Sequence, residues 1–176
     1  TGAKIGGEIT VPGKYQWGPQ IAALASGDMA VTWQDGHYSV EDIYTQVYTA
    51  AGTARGGQIL VNAGGTGTSF SAQKDQRITA LKDGGFVITW TDDNKGPGGA
   101  GGDASNNSIK AQVFDAAGAK IGTEMLVNTQ TELYQQNART IALANGGFVV
   151  AWENWTPDYY QAQDVNAQIF TAAGAR

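Results

Sequence analysis

Cysteine is missing from all 176 residues, which rules out a disulfide framework and any thiolate-ligated metal site. Positive charge is scarce: Lys and Arg total 11 against 16 Asp and Glu, for a formal net charge of −5. A phosphate-binding groove needs the opposite balance, so no nucleic-acid partner is expected. No uninterrupted apolar run approaches the roughly 18 residues of a membrane-spanning helix, so no membrane span is expected. The sequence shows neither a signal peptide nor an initiator Met, which predicts a processed or excised piece. Leu is sparse beside Val, Ile, Thr and aromatics, a balance that favours strands over helices.

What the chain has in plenty is glycine, at 25 residues, and repetition. Three stretches match one another: IAALASGDMAVTW (21–33), ITALKDGGFVITW (78–90) and TIALANGGFVVAW (140–152). Three more follow them: IYTQVYTAAG (43–52), IKAQVFDAAG (109–118) and VNAQIFTAAG (165–174). A third set reads KIGGEITV (4–11), ARGGQILVN (54–62) and KIGTEMLVN (120–128). The tryptophans Trp33, Trp90 and Trp152 are spaced by 90 − 33 = 57 and 152 − 90 = 62 residues, a period of about 60.

Each unit reads as four strands, a to d. In strand b of the last unit Phe148, Val150 and Trp152 alternate with Val149 and Ala151, so both faces are apolar and burial on both sides is predicted. Asp-Gly-Gly and Asn-Gly-Gly join a to b, and both are hairpin signals because the turn needs positive φ. The predicted class is all-β: three four-stranded antiparallel repeats forming a single domain over 1–176, with units at 12–62, 63–128 and 129–176. Tandem meanders predict β-propeller-like packing. A β-prism-like monomer built from the same strands is the alternative, and one irregular sandwich is a third.

TAAGAR (171–176) read into TGAKIGG (1–7) rebuilds the internal phrase DAAGAKIGTE (115–124). The strand order is therefore d, a-b-c-d, a-b-c-d, a-b-c, and strand d at 1–11 is expected to complete a blade begun at 140–174. An orphan edge strand exposes unpaired N–H and C=O groups. Three blades are also too few to close a ring, for which four to eight are typical. The expectation is a homodimer of six blades in which the N-terminal strands are exchanged.

Long connections fall on one side of the repeats, at b–c and d–a, and tight turns on the other. Loop length and variation concentrate where a scaffold carries function. The long loops hold aromatic residues and uncharged or acidic polar residues. The candidate ligand-binding set is Tyr15, Trp17, Asp35, His37, Tyr38, Asp92, Asp93, Asn94, Tyr134, Asn154, Trp155, Tyr159 and Tyr160. Sugar C–H faces stack on rings, and hydroxyl pairs bond to short acidic or amide side chains, so the expected partner is a carbohydrate. Asp35, Asp92 and Asn154 each stand two residues past a core Trp, as repeated polar contacts or as turn formers that end strand b.

No catalytic residue is assigned. There is one His (His37), no Gly-x-Ser-x-Gly elbow and no Asp-box, and acidic pairs such as Glu41 with Asp42 or Glu153 with Asp158 arise in any acidic loop. The expectation is that the protein is not an enzyme. No cofactor is expected either. Calcium is considered for Asp92–Asn94 with Asp103, and for Asp158 with Asp164, but no EF-hand or nonapeptide spacing supports it.

The phrase AQVFDAAGAKIGTEMLVNTQT…ALANGGFVVAWEN resembles the approximately 60-residue β repeats of large secreted bacterial proteins of the RTX and adhesin type. That resemblance implies a secreted or cell-surface bacterial setting. The three-copy design also resembles small propeller lectins assembled from short chains. The resulting expectation is a non-catalytic lectin with several shallow sites on its long-loop face. A structural repeat module of an adhesin is the alternative, and a glycoside hydrolase is the second alternative.

Overall fold

The computed structural model describes residues 2, 4, 6–36, 41–63, 71–94, 107–155 and 163–176. Among them the chain forms eleven strands and no helix. The first sheet holds β1 (Gln16–Ala23), β2 (Met29–Gly36), β3 (Glu41–Tyr48) and β4 (Ala54–Leu60). The second holds β5 (Ser71–Ala80), β6 (Phe86–Asn94), β7 (Asn107–Phe114) and β8 (Lys120–Leu126). The third holds β9 (Gln135–Ala142), β10 (Phe148–Trp155) and β11 (Gln163–Phe170). Each sheet is an antiparallel meander in chain order, so the all-β expectation holds.

The hairpins follow from turn chemistry. Leu81 N–H donates to Gly85 O at 2.8 Å and Gly84 N–H returns to Leu81 O at 3.1 Å. The same two bonds recur at Leu24–Asp28 and Leu143–Gly147, and in the c–d turns at Thr49–Thr53, Asp115–Ala119 and Thr171–Ala175. Gly84 and Gly146 sit at φ of +94° and +96°, where a Cβ is disfavoured. Asp83 and Asn145 each accept the N–H two residues on, at 3.1 Å, which pins the turn.

Each strand a also carries a bulge at one repeated place. The left-handed residues there are Gly18 (φ +61°), Asp75 (+56°) and Asn137 (+57°). Gly, Asp and Asn are the residue types that visit this region at least cost.

The second sheet lies between the other two. Its Phe86, Ile88, Trp90 and Phe114 pack on Ala30, Ile43 and Val47 of the first sheet, with Leu24 and Val61 at the margin. Its opposite face, with Val87, Ile109 and Val113, packs on Phe148, Val150, Trp152 and Phe170 of the third. Phe86 stacks on Phe114 with centroids 4.9 Å apart, and Phe148 on Phe170 at 5.1 Å. The first strands of successive sheets are neighbours, β5 against β1 and β9 against β5.

Two differences from the sequence reading stand out. Burial of strand b on both faces holds for β6, whose residues 86–90 are all buried, but not for β10, where Val149 and Ala151 are only half-covered. Among the described residues no sheet packs on the outer face of the third one, where Ile141, Val165 and Ile169 are exposed. Second, the three sheets are open and do not close into a ring, and the described residues 4 and 6–15 join no strand. Among the described residues β11 has no neighbour beyond β10, and the third sheet has three strands where the others have four. Among the described residues no helix is long and apolar enough to cross a membrane.

Candidate functional site

The repeats create three equivalent mouths, where the start of strand a meets the end of strand b beneath the long connections. The register fixes the equivalence: Gln16 pairs with Asp35, Gln73 with Asp92, and Gln135 with Asn154. The next ladder bond also repeats, from Gly36 N–H to Tyr15 O at 3.2 Å and from Trp155 N–H to Tyr134 O at 3.0 Å.

The second mouth is a closed polar network. The Trp90 indole N–H donates to Gln73 Oε1 at 2.6 Å, and Gln73 Nε2 donates to Asp92 Oδ1 at 2.7 Å. Lys110, fully buried, sets its ammonium 3.2 Å from Glu124 Oε1 and 3.9 Å from Asp92 Oδ2. Glu124 Oε2 in turn accepts Ala63 N–H at 2.6 Å. Gln34 Nε2 donates to Gln73 O at 3.0 Å and ties this mouth to the first sheet. Glutamine suits the strut position because it offers a donor and an acceptor without a charge to desolvate.

The third mouth keeps the strut and changes its partners. Gln135 Nε2 donates to Asn154 Oδ1 at 3.0 Å, and Asn154 Nδ2 donates to Gln130 Oε1 at 3.0 Å. Gln135 Oε1 accepts from Asn128 Nδ2 at 3.3 Å rather than from Trp152, whose buried indole N–H has no partner among the described residues. In the first mouth Asp35 accepts the N–H groups of Lys14 and Tyr15 at 3.2 and 3.0 Å. Gln16 there turns to the carbonyls of Val11 and Pro12, and the Trp33 indole N–H is likewise without a partner.

These bonds place the predicted residues. Asp92 and Asn154 are buried and fasten strand a to strand b, while Asp35 fastens the segment before β1. Tyr15, Trp17, Tyr134 and Trp155 stand about two-fifths exposed at the first and third mouths. Lys14 Nζ lies 5.3 Å from the Tyr15 ring centroid, and Tyr134 meets Trp155 edge-on at 6.2 Å. Among the described residues the second mouth has no such pair: Ala72 takes the place of Tyr15 and Tyr134, and Asp93 takes that of Trp155 and is bridged by Lys74 Nζ at 3.1 Å. His37, Tyr38, Tyr159, Tyr160 and the Asn94 side chain lie outside the described residues.

The first mouth also gathers carboxylates. Asp42 is half-buried and its pKa is raised, first by loss of water and further by the charge of Asp35, against the opposing bond from Asn62 Nδ2 at 2.8 Å. Burial and the same two carboxylates raise the Tyr44 phenol, which stacks on Trp33 at 6.3 Å. Among the described residues no group of three or more His, Cys, Asp or Glu side chains is placed to hold a metal ion. Asp103 and Asp158 lie outside those residues.

Sequence reasoning missed the glutamine struts. Their signal is a constant offset before each core tryptophan: 33 − 16 = 17, 90 − 73 = 17 and 152 − 135 = 17.

No family model and no curated protein sequence matches the chain. Among solved structures, an endo-arabinase from Bacteroides thetaiotaomicron is similar, with a TM-score of 0.50 and 14% identity over 85% of this chain and 54% of that one. The chain thus spans about half the length of that enzyme. At this identity the likeness is one of fold. It nevertheless corrects the expectation that the protein is not an enzyme, because a hydrolase stands on a similar arrangement of sheets. The scarcity of His and the missing Asp-box do not exclude catalysis here.

Proposed function

We propose that the protein binds carbohydrate through the mouths beneath its long connections. The observation that carries this reading is the partial exposure of aromatics at two equivalent mouths, Tyr15 and Trp17 at the first and Tyr134 edge-on to Trp155 at the third. Rings of this kind, beside Asp35 and Glu153, suit a sugar's C–H face and its hydroxyls. The sheets form an arc of a β-propeller that two copies complete, with the N-terminal strands exchanged. Several weak sites on one rigid ring gain avidity on a dense glycan surface. A secreted or cell-surface setting, as in the RTX and adhesin repeats, supplies such surfaces.

A glycan array tests this reading. Binding to at least one sugar class is expected, and Trp155→Ala should weaken it about tenfold, a loss of about 1.4 kcal/mol. Silence across all sugars, with and without calcium, sinks this reading and leaves a spacer module of an adhesin.

A second reading, glycoside hydrolysis, draws on the fold shared with the endo-arabinase and on Asp42 beside Asp35. Two neighbouring carboxyls, one with its pKa raised by burial, are the raw material of a general acid and its partner. Release of reducing ends from arabinan by the wild type, and its loss in Asp42→Asn, are the results this reading expects.

A further inference from the structure

The two inner interfaces of the arc repeat one another position for position, and the arc ends on two faces that lack the corresponding neighbour. Val47 and Ile43 of the first sheet are covered by the second, and Val113 and Ile109 of the second are covered by the third, all at 0% exposure. The register makes Ile169 and Val165 the equivalents in the third sheet, and these are 59% and 78% exposed. Ile141 beside them on β9 is 60% exposed. At the other end the first sheet presents the face that in later sheets does the covering. Ile21 is 63% exposed there, whereas its equivalent Ile78 packs on the first core.

The N-terminal segment reaches this second end, where Ile9 meets the c–d turn of the first sheet, and Gly6 in it has the backbone twist of the strand d bulges. In β4 and β8 the bulge is made by Gly56 and Gly122, at φ of +69° and +66°. Gly6 occupies the same place in KIGGEITV and has φ of +76°, although the described residues of its segment belong to no sheet. At both inner interfaces the c–d turn glycine presses on strand d of the preceding sheet. A Cβ on Gly118 would stand 2.9 Å from Ile59 Cδ1, and one on Gly174 would overlap the end of Met125. Gly52 of the first sheet meets Ile9 Cδ1 in the same way, also at 2.9 Å. Ile9 is the sequence equivalent of Ile59 and Met125, so the segment stands where strand d of a preceding sheet belongs.

We infer that the open face of β9–β11 in one copy docks on the first sheet of a second copy, over Ile21, and that residues 6–11 of that second copy pair antiparallel with β11. This rests on the two-copy ring proposed above and specifies its interface. The occupant is a second copy because each end supplies what the other lacks: a covered face, a covering face and a pre-bent strand d. An apolar face of this kind gains by leaving water, and an open edge such as β11 gains by pairing. Two such contacts related by a twofold axis use every open face once. The register is fixed by the intact sheets, where Lys110 faces Leu126 and Tyr44 faces Leu60. By equivalence Asn166 of one copy faces Thr10 of the other.

The chain has no cysteine, so introduced thiols report on this register alone. Mixing the single variants Thr10→Cys and Asn166→Cys under a short thiol cross-linker should give a product of twice 18.4 kDa. Thr10→Cys with Val165→Cys should give none, because adjacent strand residues point to opposite faces. In light scattering the wild type should have the mass of two chains. Ile169→Asp and Val165→Lys should each have the mass of one, with circular dichroism unchanged because both sites are exposed in the single chain. A wild type that is monomeric or polymeric overturns the inference, as do variants that remain dimeric or a double Thr10→Cys/Asn166→Cys chain that cross-links only within itself. Glycan binding is read separately, so loss of one result leaves the other standing.

Discussion

The second and third sheets are built from nearly the same words, ALKDGGFVITW against ALANGGFVVAW and AQVFDAAG against AQIFTAAG, yet they live in different surroundings. Every residue of β7 is buried, whereas β11 exposes Val165 and Ile169. The strand code is the same, so local sequence does not set the difference. What differs is the neighbour: the second sheet has one on each face and a fourth strand, and the third has one face covered and three strands. An apolar alternation on both faces thus does not by itself secure burial on both faces; a neighbouring sheet does.

The largest effect that separates the two sheets should come from Lys110. It is buried between Asp92 and Glu124, while its equivalent in the third sheet is the neutral, half-exposed Asn166. Lys110→Met leaves two carboxylates without their cation, and removing one partner of a buried ion pair costs about 3–5 kcal/mol. Asn166→Lys should shift stability by less than about 0.5 kcal/mol, as surface changes do. Urea unfolding followed by tryptophan fluorescence measures both. Equal losses would show that Lys110 does not hold the second mouth together.

Next in size is the face itself. Ile109→Ala in the second sheet should cost about 2–5 kcal/mol through lost burial and a cavity. The matching Val165→Ala should stay within about 0.5 kcal/mol when measured on a single chain. Under dimerising conditions the second value should grow, since the proposed interface turns this surface into core. A concentration-independent melt for the wild type would remove that growth.

The repeats, strands β1 to β11 and the six tight turns were legible, because period-two patterning and the Gly positions of the turns are local signals. The strand d expected at 1–11, by contrast, does not appear among the described residues because its partner edge lies elsewhere. Strand b of the last unit was legible only in part. Its Phe148, Val150 and Trp152 were read correctly as core, but the burial expected at Val149 and Ala151 needed a following sheet. The mouths were harder to read. The aromatics Tyr15, Trp17, Tyr134 and Trp155 carry a signal of type, and the structure places Tyr15 and Tyr134 at equivalent positions, with Trp17 on β1 at the first mouth and Trp155 against Tyr134 at the third. Asp92 and Asn154 look like outward polar contacts in sequence, but bonds to Gln73 and Gln135 turn them into struts. A residue's direction at the end of a strand depends on partners about 20 residues away, and no local pattern carries that. Lys110 is the plainest case, since a lysine within AQV-type strand sequence gives no sign that Glu124 and Asp92 enclose it.

A smaller contrast lies in the indoles. Trp90 donates to Gln73, whereas Trp152 donates to nothing among the described residues. Trp90→Phe removes a bond as well as ring volume, and Trp152→Phe removes ring volume and a buried N–H that was already unmet. The first should therefore cost about 1 kcal/mol more than the second, the net worth of a typical hydrogen bond. Equal costs in denaturant titration would mean that the Gln73 bond adds nothing.

The smallest effect is one of pH, at a register place that holds Asp42 in the first sheet, buried Ser108 in the second and exposed Asp164 in the third. Loss of water around Asp42, aided by the Asp35 charge, raises its pKa in the folded chain above the ordinary 3.8. Between those two values the folded state holds more protons than the unfolded one, so stability falls as pH rises through the window and is level above it. Most carboxylates with favourable partners push the other way, so this contribution should show as a reduced gain on leaving acid. Asp42→Asn removes it while keeping an oxygen for Asn62 Nδ2. The variant should be at least as stable as the wild type at neutral pH, with its relative advantage shrinking as pH drops toward 3.8. Urea midpoints across that range decide the matter: a variant less stable at neutral pH, with the deficit vanishing in acid, would mean that the Asn62 bond outweighs burial and that the mouth is built to hold a charge.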